Sequence, residues 1–134
     1  MPGAVRIACC QLVPDIDHPL ASAAQARAAL ADAIRAGAQI VVLPELCTSG
    51  YAFSSAAEAR AAAQPASGPL LNSWAQEAAH TGAVVIGGFC ELADDGRVFN
   101  SAALVDASGV RAVYRKLHLW DREPRWFSHG ADPA

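Results

Sequence analysis

The chain has 134 residues, 53% of them hydrophobic and 17% charged, with a net charge of −3. This is the composition of one folded domain with a sizeable core, not of a disordered segment, and the small acidic balance argues against nucleic acid as a partner. No apolar run approaches the ~18 residues of a membrane-spanning helix, and Arg6 interrupts a first apolar segment that reads as a strand, not a signal peptide; a cytoplasmic protein with no membrane partner is expected.

Residues 4–12, AVRIACCQL, predict the first strand. Asp15 to Pro19 is a turn, with Asp17 or His18 as a helix cap and Pro19 in the first helical turn. The next stretch carries Leu20, Ala23, Ala24, Leu30 and Ile34 at helical spacings, and Gly37 ends it. AQIVVLPE is a second strand, apolar on both faces, as expected where layers cover a sheet on both sides. Residues 55–63 predict a short helix behind a serine cap, and PASGP breaks it. Residues 69–81 predict another helix, with Leu70, Leu71, Trp74 and Ala78 on one side and Gly82 at its end. AVVIGGFCE, VFNSAALVD and VRAVYRKLHL are three further strands, joined by the turns ADDGR and ASG. Links this short require an antiparallel meander. The order β-α-β-α-α-β-β-β therefore predicts an α/β fold whose sheet mixes parallel and antiparallel pairing. The tail from Trp120 holds Trp126 and Phe127 as well, with no predicted element to bury them. Such a tail is expected of a chain that ends within a domain.

Two charges stand at strand ends. Glu45 follows the second strand through Pro44, which stiffens the exit. Functional groups of α/β sheets tend to lie just beyond the carboxyl ends of strands, although a solvated loop glutamate fits the local sequence equally well. Lys116 closes the fifth strand and is the single lysine among ten basic residues. Lysine is a compact cation whose proton affinity responds to its surroundings, a property arginine lacks. Glu123 lies seven residues further on and by itself reads as a surface charge.

The ordered set VVLPELCTSGY, GGFCE, FNSAALVDASG and YRKLHLWDRE resembles the N-terminal half of the nitrilase superfamily, the carbon–nitrogen hydrolases, over nearly the whole chain. The resemblance implies half of a four-layer α-β-β-α sandwich, so that residues 1–134 would be a partial domain that stops before the nucleophile strand. Such a half is expected to expose a sheet edge and one core face. By resemblance, Glu45 and Lys116 match the family's catalytic glutamate and lysine. Glu123 matches a further glutamate that positions substrate or lysine, and Tyr51 matches an aromatic lining the pocket. The implied substrate is a small amide or nitrile, with amides favoured. No metal or organic cofactor is implied, and a homo-oligomer is expected of the full-length form.

The family's third catalytic group is a cysteine that comes after the lysine. Cys9, Cys10, Cys47 and Cys90 all precede Lys116, and none stands in the family's nucleophile motif. All four are expected to be buried, reduced thiols, and no Cys/His spacing suggests zinc. Hydrolysis is therefore not expected of these residues alone. The alternative is a non-catalytic relative that acts by binding, through oligomerisation.

Overall fold

The computed structural model describes residues 3–131. Its elements follow the expected order: β1 (Ile7–Cys9), α1 (Pro19–Arg35), β2 (Ile40–Val42), α2 (Ala56–Ala62), α3 (Pro69–Ala79), β3 (Val84–Leu92), β4 (Val98–Asp106), β5 (Gly109–Arg115) and a 3-10 turn at Glu123–Arg125. The strands form one sheet in the order β1-β2-β3-β4-β5. β1, β2 and β3 pair in parallel, while β3, β4 and β5 form an antiparallel meander. The α/β fold with a mixed sheet is thus as expected, because helices link the parallel strands and tight turns link the antiparallel ones.

Alternation along the strands separates two faces of the sheet. On one face, Val41, Val85, Phe89, Ala103 and Val105 are buried against Leu30 and Ile34 of α1 and Leu71, Trp74 and Ala78 of α3. Gly87 lies on this face because a Cβ there would meet the Trp74 ring at 2.7 Å. The opposite face divides into three zones. Ile7, Ile40, Val42, Val84, Ile86, Leu104 and Tyr114 make an apolar expanse that the described residues leave partly or fully open. At the other end of the same face, Cys90 and Val98 lie beneath Leu46, Phe53, Ala59 of α2 and Phe127. Asn100 and Lys116 lie between the two zones in the row of Cys90, where the Lys116 N–H donates to the Asn100 carbonyl at 2.9 Å, and Gly88, opposite Ala102, lies one step along the same face.

Several local expectations change. β1 is three residues rather than nine, because an edge strand extends only as far as its one neighbour pairs with it. His18, one of the two expected positions, is the N-cap of α1, but it makes no side-chain capping bond, because its ring is held by the Asp15 carboxylate. Ser55 does cap α2, accepting from the Glu58 N–H at 3.1 Å. The buried side of α1 runs through Ser22, Ala26, Leu30 and Ile34, while Leu20 is exposed. In an alanine-rich helix almost every side is apolar, so the position over the sheet chooses the buried stripe. β5 ends at Arg115, one residue before Lys116. Phe127 is buried and meets Phe53 edge-on at 6.0 Å, whereas Trp120 stays 77% exposed. The tail thus folds back over the sheet at Ser128 N–H to Val98 and Gly130 N–H to Lys116. Cys9 is exposed and Cys10 only partly buried, contrary to the expectation for all four thiols.

Candidate active site

Glu45 is delivered by a loop that keeps following β3 after β2 has ended. The Leu43 N–H donates to Ile86, the Gly88 N–H to Pro44, and the Cys47 N–H to Gly88. The loop turns sharply at Leu46, whose φ of 44° lies in the left-handed region. That conformation costs a leucine about 1–2 kcal/mol, offset by complete burial of its side chain against Phe53 and Cys90. The close approach depends on Gly88. A Cβ there would lie 2.5 Å from Glu45 Cα and 2.6 Å from Leu46 N, both backbone atoms. Gly88→Ala is expected to lower stability by about 1–3 kcal/mol and to draw Glu45 away from Lys116. Urea denaturation and a crystal structure of the variant check this; an unmoved Glu45 would refute it.

Lys116 Nζ lies 2.9 Å from Glu45 Oε1 and 3.0 Å from Glu123 Oε2. Glu123 starts the 3-10 turn and is locked there reciprocally with Trp120: its carboxylate accepts from the Trp120 N–H at 2.7 Å, and its own N–H donates to the Trp120 carbonyl at 3.0 Å. Asn100 joins the same cluster. Its side-chain amide donates to Glu45 Oε1 at 2.6 Å and to Glu123 Oε1 at 2.7 Å. The Tyr51 hydroxyl donates weakly to Glu45 Oε2 at 3.4 Å. The structure therefore brings Glu45, Lys116, Glu123 and Tyr51 together. Sequence reasoning missed Asn100; the FNSA motif pointed to its segment, but nothing local distinguishes a hub asparagine from any other strand residue.

The electrostatics follow from this arrangement. Burial alone would lower the proton affinity of Lys116, but its bonds to Glu45 and Glu123 more than offset that and raise it above the ordinary lysine value. Lys116 is a firm cation at neutral pH. Burial works against ionisation of Glu123, yet the Trp120 N–H, the Lys116 ammonium and the Asn100 amide together hold its carboxyl below the usual range. Burial, reinforced by the Glu45 charge, pushes the Tyr51 phenol up. These groups border an open cleft of about 390 Å³ lined by Glu45, Tyr51, Phe53, Lys116, Trp120, Arg122, Glu123 and Trp126. A second cleft of about 220 Å³ reaches Glu45, Asn100 and Lys116 from the bare apolar face, past Ile86 and Tyr114. The charged cluster thus sits at the border between an aromatic pocket and an uncovered sheet.

Among the described residues, no cysteine lines either cleft. Cys47 packs into the core beneath α1 and α3, and Cys90 donates to the Ala59 carbonyl. Burial pushes both thiols up to about 12. Cys47, two residues from Glu45, is therefore a protonated core residue rather than a nucleophile. Among the described residues, no helix is long and apolar enough to cross a membrane, and no group of three His, Cys, Asp or Glu could hold a metal ion.

Known proteins resemble this chain over most of its length. A family model described as carbon-nitrogen hydrolase matches residues 6–130. A nitrilase of Pyrococcus abyssi is 34% identical over 127 residues, covering 94% of this chain and 48% of that protein. An (R)-stereoselective amidase of a Pseudomonas species is 36% identical over 91 residues, covering 68% of this chain and 32% of that protein. The crystal structure of an N-terminal amidase superposes with a TM-score of 0.83 at 22% identity, over 94% of this chain and 31% of that one. An amidase from Nesterenkonia sp. gives a TM-score of 0.74 at 24% identity, over 96% and 49%. At those identities the two structures speak for the fold alone. The chain spans about half, or less, of the length of these relatives.

Proposed function

The chain belongs to the carbon–nitrogen hydrolase family, and from that premise we propose that it supplies the glutamate–lysine part of a Cys-Glu-Lys site that hydrolyses a small amide or, less favoured, a nitrile. The observation that carries this reading is the ammonium of Lys116 held between two carboxylates, one of which, Glu45, lines an open cleft.

In this reading a thiol from outside these residues attacks the substrate carbon while Glu45 takes its proton. The carbonyl oxygen becomes an oxyanion beside Lys116, whose fixed positive charge stabilises it where it develops. Glu45 then passes the proton to the departing nitrogen, so ammonia or an amine leaves and a thioester remains. Water, deprotonated by Glu45, attacks the thioester and returns the free acid and the thiol. Glu123, with both oxygens engaged, holds Lys116 in place. Tyr51 lines the substrate side.

The site opens onto the bare sheet face, which favours a segment packed there as the source of the thiol. The same apolar face supports the second reading, a non-catalytic relative that associates through it. Ammonia release from a short aliphatic primary amide separates the two. The 134-residue chain alone is expected to release none, while the protein purified from its natural source is expected to do so and to lose the activity on alkylation by iodoacetamide. A natural protein that hydrolyses neither amides nor nitriles, yet forms a stable oligomer, would replace the first reading with the second.

A further inference from the structure

The two carboxylates around Lys116 are not equivalent. Every oxygen of Glu123 is engaged: Oε1 by Asn100 and Lys116, Oε2 by Lys116 and the Trp120 N–H. Glu45 is engaged on one side only. Its Oε1 takes both the Asn100 amide at 2.6 Å and the Lys116 ammonium at 2.9 Å, while Oε2 has the long Tyr51 contact at 3.4 Å. The four groups close a ring in which Lys116 Nζ and Asn100 Nδ2 each bridge Glu45 Oε1 and Glu123 Oε1.

Asn100 is suited to this place. It is 3% exposed and is the third residue of β4, paired to Cys90 on one side and accepting from the Lys116 N–H on the other. Its backbone cannot swing as a loop would. Its amide is neutral at every relevant pH and carries two N–H donors, one for each carboxylate. The contacts also settle which end of the amide faces the cluster, since an amide oxygen would be repelled by both glutamates.

We propose that Asn100 is a positioning residue that divides the labour between the oxygens of Glu45: it fixes Oε1 in the ring with Lys116 and so leaves Oε2 as the oxygen that accepts and returns the proton. This rests on the proposed hydrolase reading and adds to it which atom moves the proton and what selects it. Without Asn100, the Glu45 carboxylate rotates about its last bond, and either oxygen, or both, turns to Lys116.

Two variants test this. Asn100→Leu keeps the volume without polar atoms, and Asn100→Ala removes the amide without adding a charge; the second serves if the first does not fold. In the protein that shows amide hydrolysis, either variant is expected to lower kcat by about 10–100-fold with KM within threefold, and to shift the limb of the pH–kcat/KM profile that reports the base. A merely structural role would lower the amount of folded protein and leave that limb in place. In crystals of either variant of the 134-residue chain, the Glu45 carboxylate is expected to have turned away from residue 100. An unmoved Glu45 together with an unchanged profile would overturn the proposal. Were the natural protein to show no hydrolysis, the hydrolase reading would fall by itself, and the crystallographic position of Glu45 would still decide the role of Asn100.

Discussion

Glu45→Gln, in the protein that shows amide hydrolysis, is expected to lower kcat by about 10²–10⁴-fold while stability changes by less than about 1 kcal/mol. The two effects separate because of how the side chain is held. Glutamine can keep an oxygen at the Oε1 position and go on accepting from Asn100 and Lys116. At the Oε2 position it places an NH₂ group, which cannot take a proton from a thiol or from water. The ion pair with Lys116 is lost, but both partners are substantially exposed, where such pairs contribute little. Lys116→Met is expected to cost about 10²–10³-fold, the effect of removing one oxyanion donor. Steady-state ammonia release and urea denaturation on the same preparations check both. A Glu45→Gln protein with kcat within threefold of the parent would end the reading of Glu45 as the base.

Arg115→Met is expected to destabilise the fold by about 3 kcal/mol or more. Arg115 grips the Glu91 carboxylate through two donors, at 2.9 and 2.6 Å, and Ser101 adds a third at 2.6 Å. The two partners are buried unequally: the Glu91 side chain is 5% exposed and that of Arg115 37%. Removing the arginine strands a carboxylate in the interior, with a serine hydroxyl as its remaining donor. Removing the glutamate instead lets the arginine turn to water, so Glu91→Leu is expected to cost less. Arg115 also covers the Phe99 ring at 4.2 Å, an interaction worth about 0.5–1 kcal/mol. The double variant Arg115→Met with Glu91→Leu is expected to regain most of the loss, because two apolar groups leave no charge unpaired. Denaturant midpoints of the three proteins decide the matter, and a loss below 1 kcal/mol for Arg115→Met would show that water reaches Glu91. Lys116 follows Arg115 in the chain, so the pair also anchors the end of β5 from which the ammonium projects.

Much of the fold can be read along the chain because it depends on local patterning. The switch from helical linkers to the turns at ADDGR and ASG separates the parallel part of the sheet from the antiparallel part. Buried strands appear as runs such as IVVL and AVVI, and serine or glycine marks helix ends at Ser55 and Gly82. Local patterning fails where several residues satisfy it equally. In α1 the alanines offer no single stripe, so Leu20 was expected inside and is outside. At the tail, Phe127 finds Phe53 only because the chain doubles back, a contact no window of sequence contains.

The candidate site shows the same division. Sequence by itself determined that a carboxylate follows β2, that a solitary lysine follows β5 and that a second carboxylate comes soon after, because these are matters of residue type and order. It also marked two adjacent glycines in GGF, though not their uses. Tertiary structure alone decided that Gly87 admits Trp74 on one face while Gly88 admits the Glu45 loop on the other. It alone placed Asn100 between Glu45 and Glu123 and left Oε2 of Glu45 with the single long Tyr51 contact. The physical reason is register. A strand alternates its side chains with period two, so which residues share a row depends on how neighbouring strands slide against each other, and a slip of one residue would turn Asn100 to the helix face. That slide is set by the turns and by burial across the whole sheet, which a linear pattern does not encode.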